Sequence, residues 1–258
     1  SPTTATVFPG PASAATAVLS GGIVAQLLSS GYSLGIAALA GLAAALVVGT
    51  INAFLVTRVR MTPLLATLTM LVAVIGVSNV VTQSRRINVS DPWILELATG
   101  RTLGIPTGIL VVGIIVLLTY HLVHRTRWGL NLQAAGGSRD AAEVSGLRVD
   151  RLVGQSFLLA ALMGFACSFF VLARGSGLSP GVEDNLLLEM VLATFLGAAF
   201  SPRRVVTLWG AVIGALFVTA ISVGFKTMGV DVFWTGLIKG TLIVIAVTMS
   251  TIQQRMRR

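Results

Sequence analysis

Charge is scarce in this sequence. Lysine, arginine, aspartate and glutamate make up 10% of its 258 residues, where roughly a quarter is usual in soluble domains. With 55% hydrophobic residues and a mean hydropathy of +0.90, the chain is far too apolar for a soluble domain and reads as a polytopic membrane protein. Acids are scarcer still, nine against eighteen bases, which leaves a net charge of +9. Most of the bases stand at the ends of apolar runs, where they set membrane topology, so nucleic-acid binding is not expected. Cysteine occurs once, as Cys167 inside an apolar run, which excludes an intrachain disulfide. His121 and His124 are the only histidines, and a pair beside a membrane edge reads as interfacial, so no metal site is expected. The opening stretch SPTTATVFPGP lacks a charged n-region and reads as an internal start, not a signal peptide.

What is abundant is the apolar run. Eight segments stand out, at about 12–30, 33–57, 62–82, 105–123, 152–173, 186–200, 205–225 and 233–252. The segment 186–200 is short for a crossing of ~30 Å by a helix rising ~1.5 Å per residue, and reads as tilted, broken or partly re-entrant. The fold expected is all-α: a bundle of about eight transmembrane segments forming a single domain over residues 1–258. Gly31-x-x-x-Gly35, Gly210-x-x-x-Gly214 and Gly236-x-x-x-Gly240 place small residues on one helix face, which predicts close backbone approach there.

The one long charged interruption is Ala134–Arg151, AAGGSRDAAEVSGLRVDR, between the apolar runs Ile105–Val123 and Leu152–Ala173. It sits in water. Ser138 is placed to cap a short helix, Asp140 lies in its first turn where the helix dipole favours an acid, and Gly146 is available to end it. So short a helix is marginal alone. The small residues Gly136, Gly137, Ala141, Ala142, Ser145 and Gly146 therefore read as a docking knob ordered by a partner protein.

At these residues the chain resembles a family. His124-Arg125-Thr126-Arg127-Trp128-Gly129, followed by Ala135-Gly136-Gly137 and Ala141-Ala142-Glu143-Val144-Ser145-Gly146-Leu147, is similar to the signature of permease subunits of bacterial ribose-type sugar importers, which are ABC transporters. The resemblance implies that 124–151 is a cytoplasmic coupling loop, with Ser138, Arg139, Asp140, Ala141, Ala142, Glu143, Ser145 and Gly146 entering a groove of an ATPase subunit. It continues from about Gly35 in Gly49-Thr50-Ile51-Asn52, in Met61–Leu68, in Trp209-Gly210 and in Phe233-Trp234 with Ile238-Lys239-Gly240. Two places depart. The family's glycine-rich loop becomes Gly197-Ala198-Ala199-Phe200-Ser201-Pro202-Arg203-Arg204, and its G-G-I-D-L-S element is not recognisable in Phe8–Ser13. Family members have about ten spans, and the eight segments align with the last eight, so the first two are expected to be missing from this sequence.

Further expectations follow from that resemblance. The permease itself is not an enzyme: ATP and magnesium are bound by the partner, and this chain carries no cofactor. Its partners are cytoplasmic ATPase subunits, an external solute-binding protein, a second permease subunit in a homodimer or heterodimer, and the lipid of the bacterial cytoplasmic membrane. Placing 124–151 in the cytoplasm puts twelve of the eighteen bases on that side, among them Arg58, Arg60, Arg139, Arg148 and Arg151, in accord with the positive-inside rule. The amphipathic piece Pro92–Leu97 then lies outside, either on the outer leaflet or against the binding protein.

Polar residues inside apolar spans are the candidates for a solute pathway, because an unpaired polar group in lipid is costly. The foremost are Asn52, Ser78, Asn79 and Glu189, with Thr67, Thr69, Thr194 and Thr207 behind them, since hydroxyls usually bond their own helix backbone. The function expected is ATP-driven import of a sugar or sugar-like solute by alternating access. Alternatives are a nucleoside, an autoinducer-like compound or a branched-chain amino acid as solute, an ion-coupled secondary transporter, or a degenerate partner subunit. Neither an inverted repeat nor a chain of charged relay residues speaks for the secondary transporter.

Overall fold

The computed structural model describes residues 10–83, 85–89, 91–102, 104–175, 177–178, 189–190, 192–193, 208–227 and 241. The chain divides into two compact units, Ser1–Glu183 and Asp184–Arg258. In the first, long helices are joined by short connections: α1 Gly10–Ser29, α2 Leu34–Thr57, α3 Pro63–Thr82, α4 Pro92–Thr99, α5 Thr107–Arg125, α6 Arg127–Gly137, α7 Arg139–Val144 and α8 Val149–Gly175. The described part of the second unit holds α9, Leu208–Thr227, and helical residues at 189–190 and 192–193.

Among the described residues, α2, α5, α8 and Leu65–Thr82 of α3 are long and apolar enough to cross a membrane, with shorter apolar helices at Ser13–Ser29 and Gly210–Gly224. Six of the eight expected segments thus coincide with helices. The other two, 186–200 and 233–252, lie mostly outside the described residues. The helix expected to begin at Leu152 begins at Val149, and the one expected at Ile105 begins at Thr107, because Ile105–Pro106 pairs as a strand with Arg101–Thr102.

Helix α1 is the hub, packing against α2, α3 and α8. It is apolar or small on nearly every side, as a fully surrounded helix must be, and Ala14, Ala15, Thr16, Ala17, Val18, Ser20, Val24 and Ala25 are all buried. Ser20 satisfies its hydroxyl by donating to the Thr16 carbonyl at 2.6 Å. Within the first unit, close approach comes from glycines other than Gly31 and Gly35. A Cβ on Gly41 of α2 would lie 2.6 Å from Val24, one on Gly49 2.7 Å from the Ala161 Cβ, and one on Gly164 of α8 2.6 Å from the Ser13 carbonyl. The expected contact at Gly31 and Gly35 is not made: both face open space, and Gly31, at φ +86°, instead turns the chain between α1 and α2. The third motif, 236–240, lies outside the described residues.

Two apolar clusters close the first unit at opposite ends. One gathers Val24, Ala37, Ile87, Ile94, Leu172 and Leu178 around a two-stranded pairing of Ile87–Asn88 with Gly177–Leu178, bringing the segment that follows α3 onto the end of α8. Arg86 reinforces the contact by donating to the Gly175 carbonyl at 3.0 Å. The expected amphipathic piece is α4, capped by Asp91, which accepts from the Trp93 amide at 3.0 Å. Ile94 anchors α4 in this cluster while Trp93 is 71% exposed. The other cluster joins Ala53 and Val56 at the end of α2 to Ala142, Leu147, Val149, Val153 and Phe157. The two loops assigned to opposite sides of the membrane are therefore at opposite ends of one bundle. Helix α5 buries no residue, and its Ile109, Val112, Ile114, Leu117 and Leu118 are exposed, as suits a surface facing lipid or another subunit.

Candidate coupling site

The candidate coupling element starts with Thr126, where α5 ends. Its hydroxyl donates back to the Leu122 carbonyl and accepts from the Gly129 amide at 3.2 Å, so one side chain closes α5 and caps α6. Gly129 is buried against the Leu122 and Val123 carbonyls, where a Cβ has no room. Trp128 donates from Nε1 to Gln155 Oε1 at 2.8 Å, tying α6 to α8, and Gln133 donates to the Val123 carbonyl at 2.8 Å. This explains the Thr-Arg-Trp-Gly run physically. Helix α6 was not expected from the sequence, because Gly136 and Gly137 at its end read as loop.

Ser138, at φ −155°, ends α6 and begins α7. Its amide donates to the Ala134 carbonyl, and its Oγ accepts from the Ala141 amide at 3.3 Å. Asp140 stands in the first turn as expected. At the far end Gly146 takes φ +81°, its amide donating to Glu143 and the Leu147 amide to Ala142, both at 3.0 Å. These two bonds form the left-handed stop that glycine permits. Ser145 donates its hydroxyl to the Ala141 carbonyl at 2.8 Å.

The six-residue helix has two faces. Ala142 points inward, 5% exposed, against Val149, Val153 and Phe157. Ala142 thus seats α7 on its own chain. Asp140, Ala141, Glu143 and Ser145 are exposed, and Val144, 89% exposed, stands at the tip. Arg139 reaches two carboxylates, with Nε 2.9 Å from Glu143 and Nη2 2.6 Å from Asp150 at the start of α8. The Glu143 hydrogen bond, offset by partial desolvation and helped by Asp150, holds the guanidinium proton above its ordinary value. Beside this pair opens a cleft of about 710 Å³, lined by Val56, Met61 and Val153 together with Arg139, Glu143 and Arg148.

Within the first unit the pathway candidates fall on two helices, Asn52 on α2 and Ser78 with Asn79 on α3. Asn52 is fully buried in α2, its Nδ2 donating to the Val48 carbonyl at 3.1 Å while Oδ1 finds no partner. Ser78 is buried near the other end of α3, its Oγ 3.4 Å from where a Cβ on Gly22 would stand. Asn79 and Glu189 are half-buried. Thr67 is buried, and Thr69 bonds the Leu65 carbonyl of its own helix at 2.8 Å. Thr194 and Thr207 lie outside the described residues.

A protein-family profile described as the permease component of branched-chain amino acid transport systems matches residues 12–247. The chain belongs to that permease family. The match takes in α1, so the relationship begins well before Gly35, where the motifs become recognisable. Among curated proteins, the permease is 26% identical to the ribose import permease protein RbsC of Escherichia coli (strain K12), over 92% of this chain and 75% of that one. It is 28% identical to the L-arabinose ABC transporter permease protein AraH of Azospirillum brasilense, over 95% and 72%. With the fructose import permease protein FrcC of Rhizobium meliloti it shares 28% identity over 90% and 67%. No solved structure matches the chain. The permease is a multi-pass membrane protein by family and by its apolar helices.

Proposed function

We propose that the permease is the membrane subunit of an ATP-driven importer of a sugar, with α7 docked in a groove of a cytoplasmic ATPase subunit. The observation that carries the reading is the build of α7. A helix too short to persist alone is capped at both ends and seated through Ala142, and it holds a bare valine outward. Exposed on an aqueous loop, Val144 gains only by meeting an apolar pocket. The names of the curated relatives favour a sugar as solute, and the family description keeps a branched-chain amino acid as the second reading. Solute is handed over by an external binding protein, and the complex contains a second permease subunit. Asn52, Ser78, Asn79 and Glu189 remain the candidates for contact with solute along the pathway.

The test is recovery of the ATPase in detergent with permease variants. Val144→Asp forces a charge into the groove and should lower affinity about tenfold or more, which corresponds to ~1.4 kcal/mol. Membrane insertion should be unchanged. Recovery equal to wild type would remove α7 from the interface.

A further inference from the structure

Arg139 is the one side chain that joins the docking helix to the body of the permease by charge among the described residues. Its guanidinium fork divides between Glu143, on its own helix, and Asp150, in the first turn of α8. Both partners are more than half exposed, at 55% and 59% for the Arg139–Asp150 pair, so the contact adds little to stability. Its consequence is directional. The apolar seat under Ala142 is non-directional and lets α7 roll or slide, whereas a guanidinium bonded on two sides fixes the angle between α7 and α8. Helix α8 in turn packs along α1 and α2, with Gly164 and Ala161 at the closest approaches.

We propose that Arg139 and Asp150 form a strap that makes α7 and the start of α8 move as one body, so that displacement of α7 by its partner is delivered to the α1–α2–α8 bundle. The proposal rests on the reading that α7 docks on an ATPase, and it assigns Arg139 and Asp150 as positioning residues for transmission. Glu143 orients the fork but cannot transmit, because it sits on the same helix as Arg139.

Cys167, half-buried in the second half of α8 and the only cysteine in the sequence, is a built-in reporter that needs no knowledge of the solute. Permease–ATPase complexes in lipid nanodiscs are labelled with N-ethylmaleimide, with and without ATP, and the Cys167 labelling rates are compared. Wild type should show a several-fold change on ATP. Asp150→Asn should retain the ATPase yet lose more than half of that change, while the conservative Asp150→Glu restores it. A full response in Asp150→Asn, or no recovery in Asp150→Glu, would overturn the strap. Loss of the ATPase from Asp150→Asn alone would make the pair part of the docking surface and would also overturn it. Failure of the wild-type permease to hold the ATPase would instead bring down the docking reading, and the strap with it.

Discussion

Single residues in the candidate coupling element act through the backbone more than through their own chemistry. Ser138 satisfies an otherwise orphaned amide of α7, and Gly146 supplies the left-handed residue that stops it. Ser138→Ala should cost ~1 kcal/mol of local stability. That is about a fivefold loss of hydrogen-exchange protection at the α7 amides, read by mass spectrometry against an unchanged α8. Equal protection in the two proteins would mean that packing under Ala142 alone orders the helix. Ala142 itself shows how a residue's meaning depends on facing. In the sequence it is one of a small pair, Ala141-Ala142, and both read as docking surface; in the structure the pair divides between outside and inside.

Among the elements, the long apolar helices were legible because membrane length and apolarity are written residue by residue. The cap-and-stop signals of α7 were legible too, since Ser138, Asp140 and Gly146 act locally. Helix α6 was hidden by its two terminal glycines, and the place of α1 at the centre was hidden because an all-round apolar helix looks the same whether lipid or protein surrounds it. The Gly31–Gly35 pair was misread for the same reason: spacing marks a helix face, but only the partner helix decides whether that face is covered. The contrast is measurable. Gly164→Leu should lower stability by ~1–3 kcal/mol through overpacking against the Ser13 carbonyl. Gly35→Leu, which meets nothing within 4 Å, should stay within ~0.5 kcal/mol. Thermal unfolding in detergent separates the two, and similar melting temperatures would contradict the α1–α8 packing.

For the whole molecule, topology and energy source are what matter. In a Cys167→Ser background, a cysteine at Trp93 should react with a membrane-impermeant thiol reagent added to intact cells, and one at Ser138 should not; the reverse pattern would invert the orientation. The pathway candidates were legible only as polar residues in apolar runs, a pattern that marks them as costly to leave in lipid without saying what they face. The coupling of transport to ATP can be read directly in proteoliposomes that contain the permease, its ATPase and its binding protein. Radiolabelled ribose, arabinose, xylose and fructose are offered in turn on the binding-protein side, with ATP on the ATPase side. Accumulation of at least one sugar should require hydrolysable ATP and persist when ionophores collapse ion gradients. Accumulation that proceeds without ATP and vanishes with the ionophores would make this chain a secondary transporter.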